Sequence, residues 1–306
     1  MKATVLTGGV GGAKFVLGLE RCGLTQSITA IVNTGDDFRH LGLAVSPDID
    51  TLLYTLAGKS NVAQGWGREG ETWNFLEAMQ SLGGPDWFRL GDGDLALHVL
   101  RSERLARGET LSAIVADFAK AWGIATHILP MSNDPVATFV DTDEGTLEFQ
   151  RYFVGRQCAP QVSAIRFEGA ETARAAPGVV DAILSADAVF VAPSNPFLSV
   201  DPLLAVAEIA QALEETKAPV IAISPIVGGT AVKGPTAKIM GELGIAVDNE
   251  AIADHYSDFV DALLIDTSDA PPSALPSLAT STMMRTLEDK IRVAREAIAL
   301  VHSLKR

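Results

Sequence analysis

Apolar, strand-like runs recur along the chain at 3–6, 28–32, 128–131, 188–192, 220–223 and 262–265. Strands covered on both faces carry runs of this kind, and several are followed by glycine or proline turns and then by apolar positions at helical spacing. The pattern predicts an α/β chain built on a doubly wound, mainly parallel, Rossmann-like sheet. Between 59 and 125 the spacing is helical, with helices predicted over 72–80, 94–101 and 111–122, and the stretch reads as a helical insertion that lids a pocket. Positions 136–141 and 146–154 flank Asp143-Glu144-Gly145 as the arms of a β-hairpin in an excursion spanning 134–168. Residues 287–304 are spaced as an amphipathic closing helix. No linker or repeat divides residues 1–306, which are read as one domain.

Doubly wound sheets bind their ligands beyond the carboxyl ends of the strands, so the turns after the apolar runs hold the candidate chemistry. The first turn is Gly8-Gly9-Val10-Gly11-Gly12, between an apolar run and a helical pattern. Glycines let a ligand approach the backbone, and a helix N-terminus aims free N–H groups at an anion. Gly8, Gly9, Gly11 and Gly12 are therefore phosphate-binding candidates, with a ligand-free packing turn as the plainer alternative. The dinucleotide fingerprint fails, because Lys14 stands where glycine or alanine is required and the second strand ends Asn33-Thr34 without a ribose-binding acid. The P-loop fails too, with Ala13, Lys14 and Phe15 in place of Gly-Lys-Ser/Thr. Two later turns offer nucleotide-binding candidates: Ser194 and Asn195 between prolines, and Gly228-Gly229 with Lys233 leading towards a helix.

Acids gather after the second run. Asp36 and Asp37 follow Asn33-Thr34-Gly35, and Ser46-Pro47-Asp48-Ile49-Asp50 has the signature of a helix start. Oxygen-rich clusters suit Mg²⁺, which binds through one or two carboxylates and substrate phosphates. A negative cluster beside an anion-binding loop needs a cation between them, which makes Asp37 and Asp50 the candidate Mg²⁺ ligands. Asp48 reads instead as an acid favouring the dipole of its own helix. Arg89 can contact phosphate, and Asp92 or Asp94 can cap the helix that follows.

Composition narrows the partners. The chain is 47% hydrophobic, enough for a large core, and its net charge of −14 argues against nucleic acid or anionic membranes as partners. Cys22 and Cys158 lack metal-type spacing and read as reduced residues of a cytoplasmic protein. The five histidines pair with no serine or cysteine in a catalytic order.

Seven ordered motifs go further than any one of them. T-G-G-V-G-G-A-K, N-T-G-D-D, S-P-D-I-D-T, the Trp87 to His98 stretch with its L-G-D-x-D, P-M-S-N-D-P, P-S-N-P and S-P-I-V-G-G-T-A-V-K-G-P together resemble the 2-phospho-L-lactate transferases (CofD) of deazaflavin coenzyme F-420 biosynthesis. The resemblance implies transfer of a phospho-acid from a guanosine diphosphate conjugate to the hydroxyl of the deazaflavin alcohol Fo, with release of GMP. It also implies Mg²⁺ dependence and a homodimer, places Asp50 and Arg89 at Fo, and makes acids of G-D-D and S-P-D-x-D metal ligands. Asp36, Asp37 and Asp50 are the expected catalytic acids, Asp36 accepting the hydroxyl proton, and Asn33 joins the substrate-binding set. Two positions depart from the family pattern: Gly93 stands where G-D-R-D has arginine, and Asn133 replaces an aspartate. The alternatives are a non-catalytic UDP-sugar-binding regulatory protein with a similar glycine opening, and an NAD(P) oxidoreductase, which the broken fingerprint disfavours.

Overall fold

The computed structural model describes residues 1–61, 63–231 and 234–304. Its frame is a seven-stranded, all-parallel sheet of β1 (Lys2–Thr7), β2 (Ser27–Val32), β3 (His127–Pro130), β4 (Ala188–Val191), β5 (Val220–Ile223), β6 (Ala262–Asp266) and β7 (Ser277–Thr280). The spatial order is β7-β6-β5-β4-β1-β2-β3. This is the doubly wound order, reversing direction between β1 and β4, where a crevice opens at the strand ends. Six strands coincide with the apolar runs. The seventh, β7, is a short edge strand without a fully buried residue, so no apolar run announces it.

The runs lack a regular polar alternation because successive side chains feed two different cores. On β5, Val220 and Ala222 enter one core while Ile221 and Ile223 enter the other; Val189 and Val191 oppose Phe190 on β4 in the same way. One core is covered by helices α1 (Gly9–Arg21), α2 (Pro47–Leu56) and the C-terminal helix Leu287–Leu304; the other takes Ile183, Leu203, Ile209, Met240 and Ile252 from the later helices. Between α2 and β3 lie α3 (Asn74–Ser81), α4 (Asp92–Ala106) and α5 (Leu111–Ala121). Leu97 of α4 and Leu111, Val115 and Ala119 of α5 join the first core, whereas α3 buries only Leu76.

A separate three-stranded antiparallel sheet places Ala137–Thr142 between Gly145–Glu148 and Val162–Glu168. The hairpin arm expected over 146–154 therefore stops at Glu148, and Arg151–Gly155 forms a π-helical turn. Burial of Phe149 and Tyr152, with Phe153 stacked on Phe149 at 5.3 Å, gathers on one side aromatics that a strand would split between two faces. Among the described residues no single helix is long and apolar enough to cross a membrane; the bent pair Pro196–Leu204 and Ala207–Glu215 passes only by length and composition.

Candidate active site

The glycine turn follows β1, and Gly8 is the extended cap residue of α1. A Cβ on Gly12 would lie 2.1 Å from Thr7 Oγ1, and one on Gly11 would lie 2.4 Å from the Pro193 carbonyl oxygen. Both glycines let α1 press against the loop after β4, where Ser194 Oγ donates to the Gly8 carbonyl at 2.7 Å. Gly9, at φ +63°, has none of the described residues within 4 Å of its Cβ position. It is the open flank of the turn.

Its N–H is already engaged by Asp48, whose Oδ1 accepts from Gly9 at 2.7 Å while Oδ2 accepts from Asn33 Nδ2 at 3.0 Å. Asp48 therefore serves the start of α1, a different helix from its own, so its reading as a dipole acid of α2 is incomplete. Asn33 also donates to the Leu198 carbonyl at 3.3 Å and accepts from Gly35 N–H at 2.7 Å, tying the ends of β1, β2 and β4 into one floor.

Three acids share this floor. Asp36 and Asp48 are buried, and Asp37 is half-buried with its Oδ2 accepting from Ser46 Oγ at 2.7 Å. Burial, then the charge of Asp48, raises the Asp36 carboxyl well above the usual carboxylate range. Asp37 is raised well above it by desolvation and by Asp50 and Asp48, against lowering by Ser46 and Arg101. Burial lifts Asp48 to about 6 despite the hydrogen bonds from Asn33 and Gly9. Asp36 Oδ1 and Asp37 Oδ1 are buried oxygens that no hydrogen bond satisfies among the described residues. Like charges crowded together with unfilled lone pairs are the electrostatics of a cation site.

Asp50 behaves differently although it lies one turn-face away on α2. Both of its oxygens accept from the wholly buried Arg101 guanidinium, Oδ2 from Nη1 at 3.1 Å and Oδ1 from Nη2, and His98 Nδ1 stands 3.6 Å from Oδ2. Burial opposes the charge on Arg101 but Asp50 outweighs it, so the guanidinium is held more firmly protonated. His98 is lowered to about 4, chiefly by burial, and is neutral at pH 7. Direct ligation of a cation by Asp50 thus requires it to leave Arg101. His98 and Arg101 escaped the sequence reading, although their i, i+3 spacing on the apolar side of a helix was a signal.

Arg89 is exposed, its guanidinium 4.3 Å from the Trp73 ring and apart from the floor's hydrogen bonds. Asp92 caps the start of α3 rather than its own helix, accepting from Thr72, Asn74 and Phe75, and is lowered to about 2 by those bonds, that from Thr72 first. Asp94 Oδ1 accepts from Tyr54 Oη, and burial lifts its carboxyl to about 6. Asn195 Oδ1 accepts from Phe197 and Leu198 N–H, leaving its buried Nδ2 unsatisfied.

The second glycine pair is a turn of another kind. Gly228 and Gly229, at φ +63° and +69°, are the two central residues between the antiparallel pieces Ile226–Val227 and Thr230–Ala231. Two successive positive φ values are what a tight hairpin of primed type demands. Their N–H groups donate to Asp269 Oδ2 and Oδ1 at 2.8 and 2.7 Å. Lys233 lies outside the described residues.

The sequence matches the family described as 2-phospho-L-lactate transferase CofD over residues 3–303. The chain belongs to the CofD family. It is 41% identical to a phosphoenolpyruvate transferase of Kitasatospora aureofaciens across 100% of this chain and 99% of that protein. It is 38% identical to a 2-phospho-L-lactate transferase of Methanopyrus kandleri across 99% of each. Membership makes it a phospho-acid transferase. In fold it is similar to a solved UPF0052-family protein of Bacillus halodurans, with TM-score 0.66 at 18% identity, covering 97% of this chain and 98% of that one.

Proposed function

We propose that this CofD-family enzyme transfers a phospho-acid, phospholactyl or phosphoenolpyruvyl, from its guanosine diphosphate conjugate to the hydroxyl of the deazaflavin alcohol Fo, releasing GMP in coenzyme F-420 biosynthesis. The observation that carries the reading is the floor of Asp36, Asp37 and Asp48, with two unsatisfied carboxylate oxygens beside the open flank of Gly9. Fo and both guanylated acids enter through the family; the floor supplies the chemistry such a transfer needs.

The residues fit Mg²⁺. Asp37 presents an unsatisfied oxygen to the ion, with Asp48 next to it, and Asp50 reaches the ion only by exchanging Arg101 for it, while Asp36 Oδ1 is kept for the proton. Among the described residues no group of three or more acids, histidines or cysteines forms a ready cation cage, so the remaining ligands come from substrate phosphate and water, as suits Mg²⁺. When bound, the ion neutralises charge on the diphosphate. The acceptor oxygen attacks the phosphorus carrying the acid, the bond from that phosphorus to the GMP oxygen breaks, and the hydroxyl proton passes to Asp36 Oδ1. A carboxyl raised by burial is a better proton acceptor than an ordinary one. Asn195 Nδ2 and the N–H groups around Gly9 face the phosphates, with Ser194 bracing Gly8. Phosphate capture at Gly9 and Gly228-Gly229 requires Asp48 and Asp269 to yield those N–H groups. Arg89 on Trp73 holds the acceptor, and the enzyme works as a homodimer.

The test is incubation of the protein with Fo, Mg²⁺ and each guanylated acid, followed by product mass. A product equal to Fo plus the phospho-acid, with equimolar GMP, establishes the reaction and names the acid; unchanged Fo in every mixture refutes it. Light scattering gives the oligomeric state.

A further inference from the structure

Gly93 lies near the start of α4, between Asp92 and Asp94, and the space a side chain would fill there is taken. A Cβ on Gly93 would sit 1.3 Å from Arg68 Nη1. Arg68 arrives from the loop preceding α3, where it bridges to Ser60, and its side chain is 30% exposed. Glu71 clamps the arrangement: Oε1 accepts from Arg68 Nη1 at 3.2 Å and Oε2 accepts from Gly93 N–H at 2.7 Å.

Arg68 lines a cavity of about 180 Å³ whose walls include Trp66, Trp73, Gln64, Glu71 and Asp94. That is below the roughly 300–1,000 Å³ of a pocket for a whole drug-sized ligand, so it suits one end of a flat ring system with the rest of the molecule outside. Indoles stack on such a ring, and a guanidinium fork donates to carbonyl oxygens along its edge. Asp94 ties the cavity to the acid floor, because it accepts from Tyr54 of α2, the helix that carries Asp48 and Asp50. The cavity is walled by the loop between α2 and α3 and by Asp94 of α4, whereas Ser194, Asn195 and Gly228-Gly229 follow β4 and β5.

We propose that Arg68 reads the carbonyl edge of the acceptor's planar ring in this cavity, a place it reaches only because residue 93 is glycine. The inference rests on the reading that the acceptor is a deazaflavin alcohol.

The obstruction is the far end of a flexible side chain, so Gly93→Ala evicts Arg68 without breaking the fold, and alanine favours the helix. Arg68→Ala, Gly93→Ala and the double variant therefore share one phenotype. Each is expected to raise the KM for Fo about tenfold, as for loss of one hydrogen bond from a charged donor, with no added effect in the double variant. The KM for the guanylated donor and the melting temperature stay put, or the latter rises in Gly93→Ala. Arg68→Lys does not restore the fork and stays impaired. Direct titration of Fo and of GDP, without turnover, gives the same ordering in Kd for Fo alone. Unchanged affinity for Fo in both single variants overturns the proposal, as does a shift in GDP affinity instead, which would assign the ring to guanine. Equal weakening of both ligands with a lowered melting temperature makes Arg68 structural and also overturns it. Failure of wild type to transfer to Fo refutes the functional reading, while the Fo titration still decides the fate of Arg68.

Discussion

Two glycine turns at the same edge of the sheet solve different problems. In the turn after β1, Gly11 and Gly12 are needed because neighbouring atoms come too close for any Cβ. In the turn after β5, Gly228 and Gly229 have no such crowding and are needed for positive φ. An aspartate from elsewhere accepts from each turn, Asp48 from the Gly9 N–H in the first and Asp269 from both glycine N–H groups in the second. The difference lies in what surrounds the aspartate. Asp48 is buried among other acids with unsatisfied oxygens and lifted to about 6; Asp269 is half-exposed and satisfied by the turn. Glycine content alone therefore does not distinguish the two turns, whereas the electrostatics of the aspartate at each does.

The comparison breaks most sharply if the acids of the first turn prove dispensable. Asp36→Asn is expected to slow turnover by about 10²–10⁴ with little loss of stability, since it removes a proton acceptor and relieves repulsion at once. Steady-state rates and a melting curve check both halves. Asp50→Asn is expected to do the opposite in part, lowering stability by about 3–5 kcal/mol in denaturant unfolding because Arg101 is left charged and wholly buried. A variant as stable as wild type would show that the pair is not what holds α2 to α4.

Smaller effects sharpen the contrast between the turns. Gly12→Ala should cost about 1–3 kcal/mol through the clash with Thr7 and Ser194, whereas Gly229→Ala should cost about 1–2 kcal/mol, from its positive φ alone. Equal losses accompanied by equal drops in turnover would erase the distinction. The pH response follows from the raised acids. Their folded values lie above the unfolded ones, so they favour the native state below the ordinary carboxylate range, and that contribution is lost as pH rises through about 6, the value for Asp48. Mg²⁺ needs the ionised form, so the rise in melting temperature it produces should be larger at about pH 7.5 than at about pH 5. Asp269→Ala, at the second turn, is expected to cost only about 0.5–1.5 kcal/mol.

Much of the frame was readable in advance. Apolar runs located β1 to β6 because a strand covered on both faces is apolar at most positions, with Thr4 and Thr29 as exceptions, and the turns they end in do line one edge. The Gly228-Gly229 hairpin was also readable, since two glycines between Ile226-Val227 and Thr230-Ala231 are a hairpin signal. The partners of the acids were not. Gly9 meets Asp48 across 39 positions and Asp50 meets Arg101 across 51, and no local spacing encodes such pairings. The role of Gly93 was hidden for the same reason, because its vacancy has meaning only once Arg68 is seen in it.

By itself, then, the order of residues determined the alternation of strand and helix, the edge at which chemistry gathers and the family to which the motifs belong, because these depend on local periodicity and on short contiguous signatures. Which aspartate faces Gly9, which is neutralised by Arg101 and which retains an unsatisfied oxygen was decided only by tertiary structure. Charge and desolvation act through space, and the fold alone sets those distances.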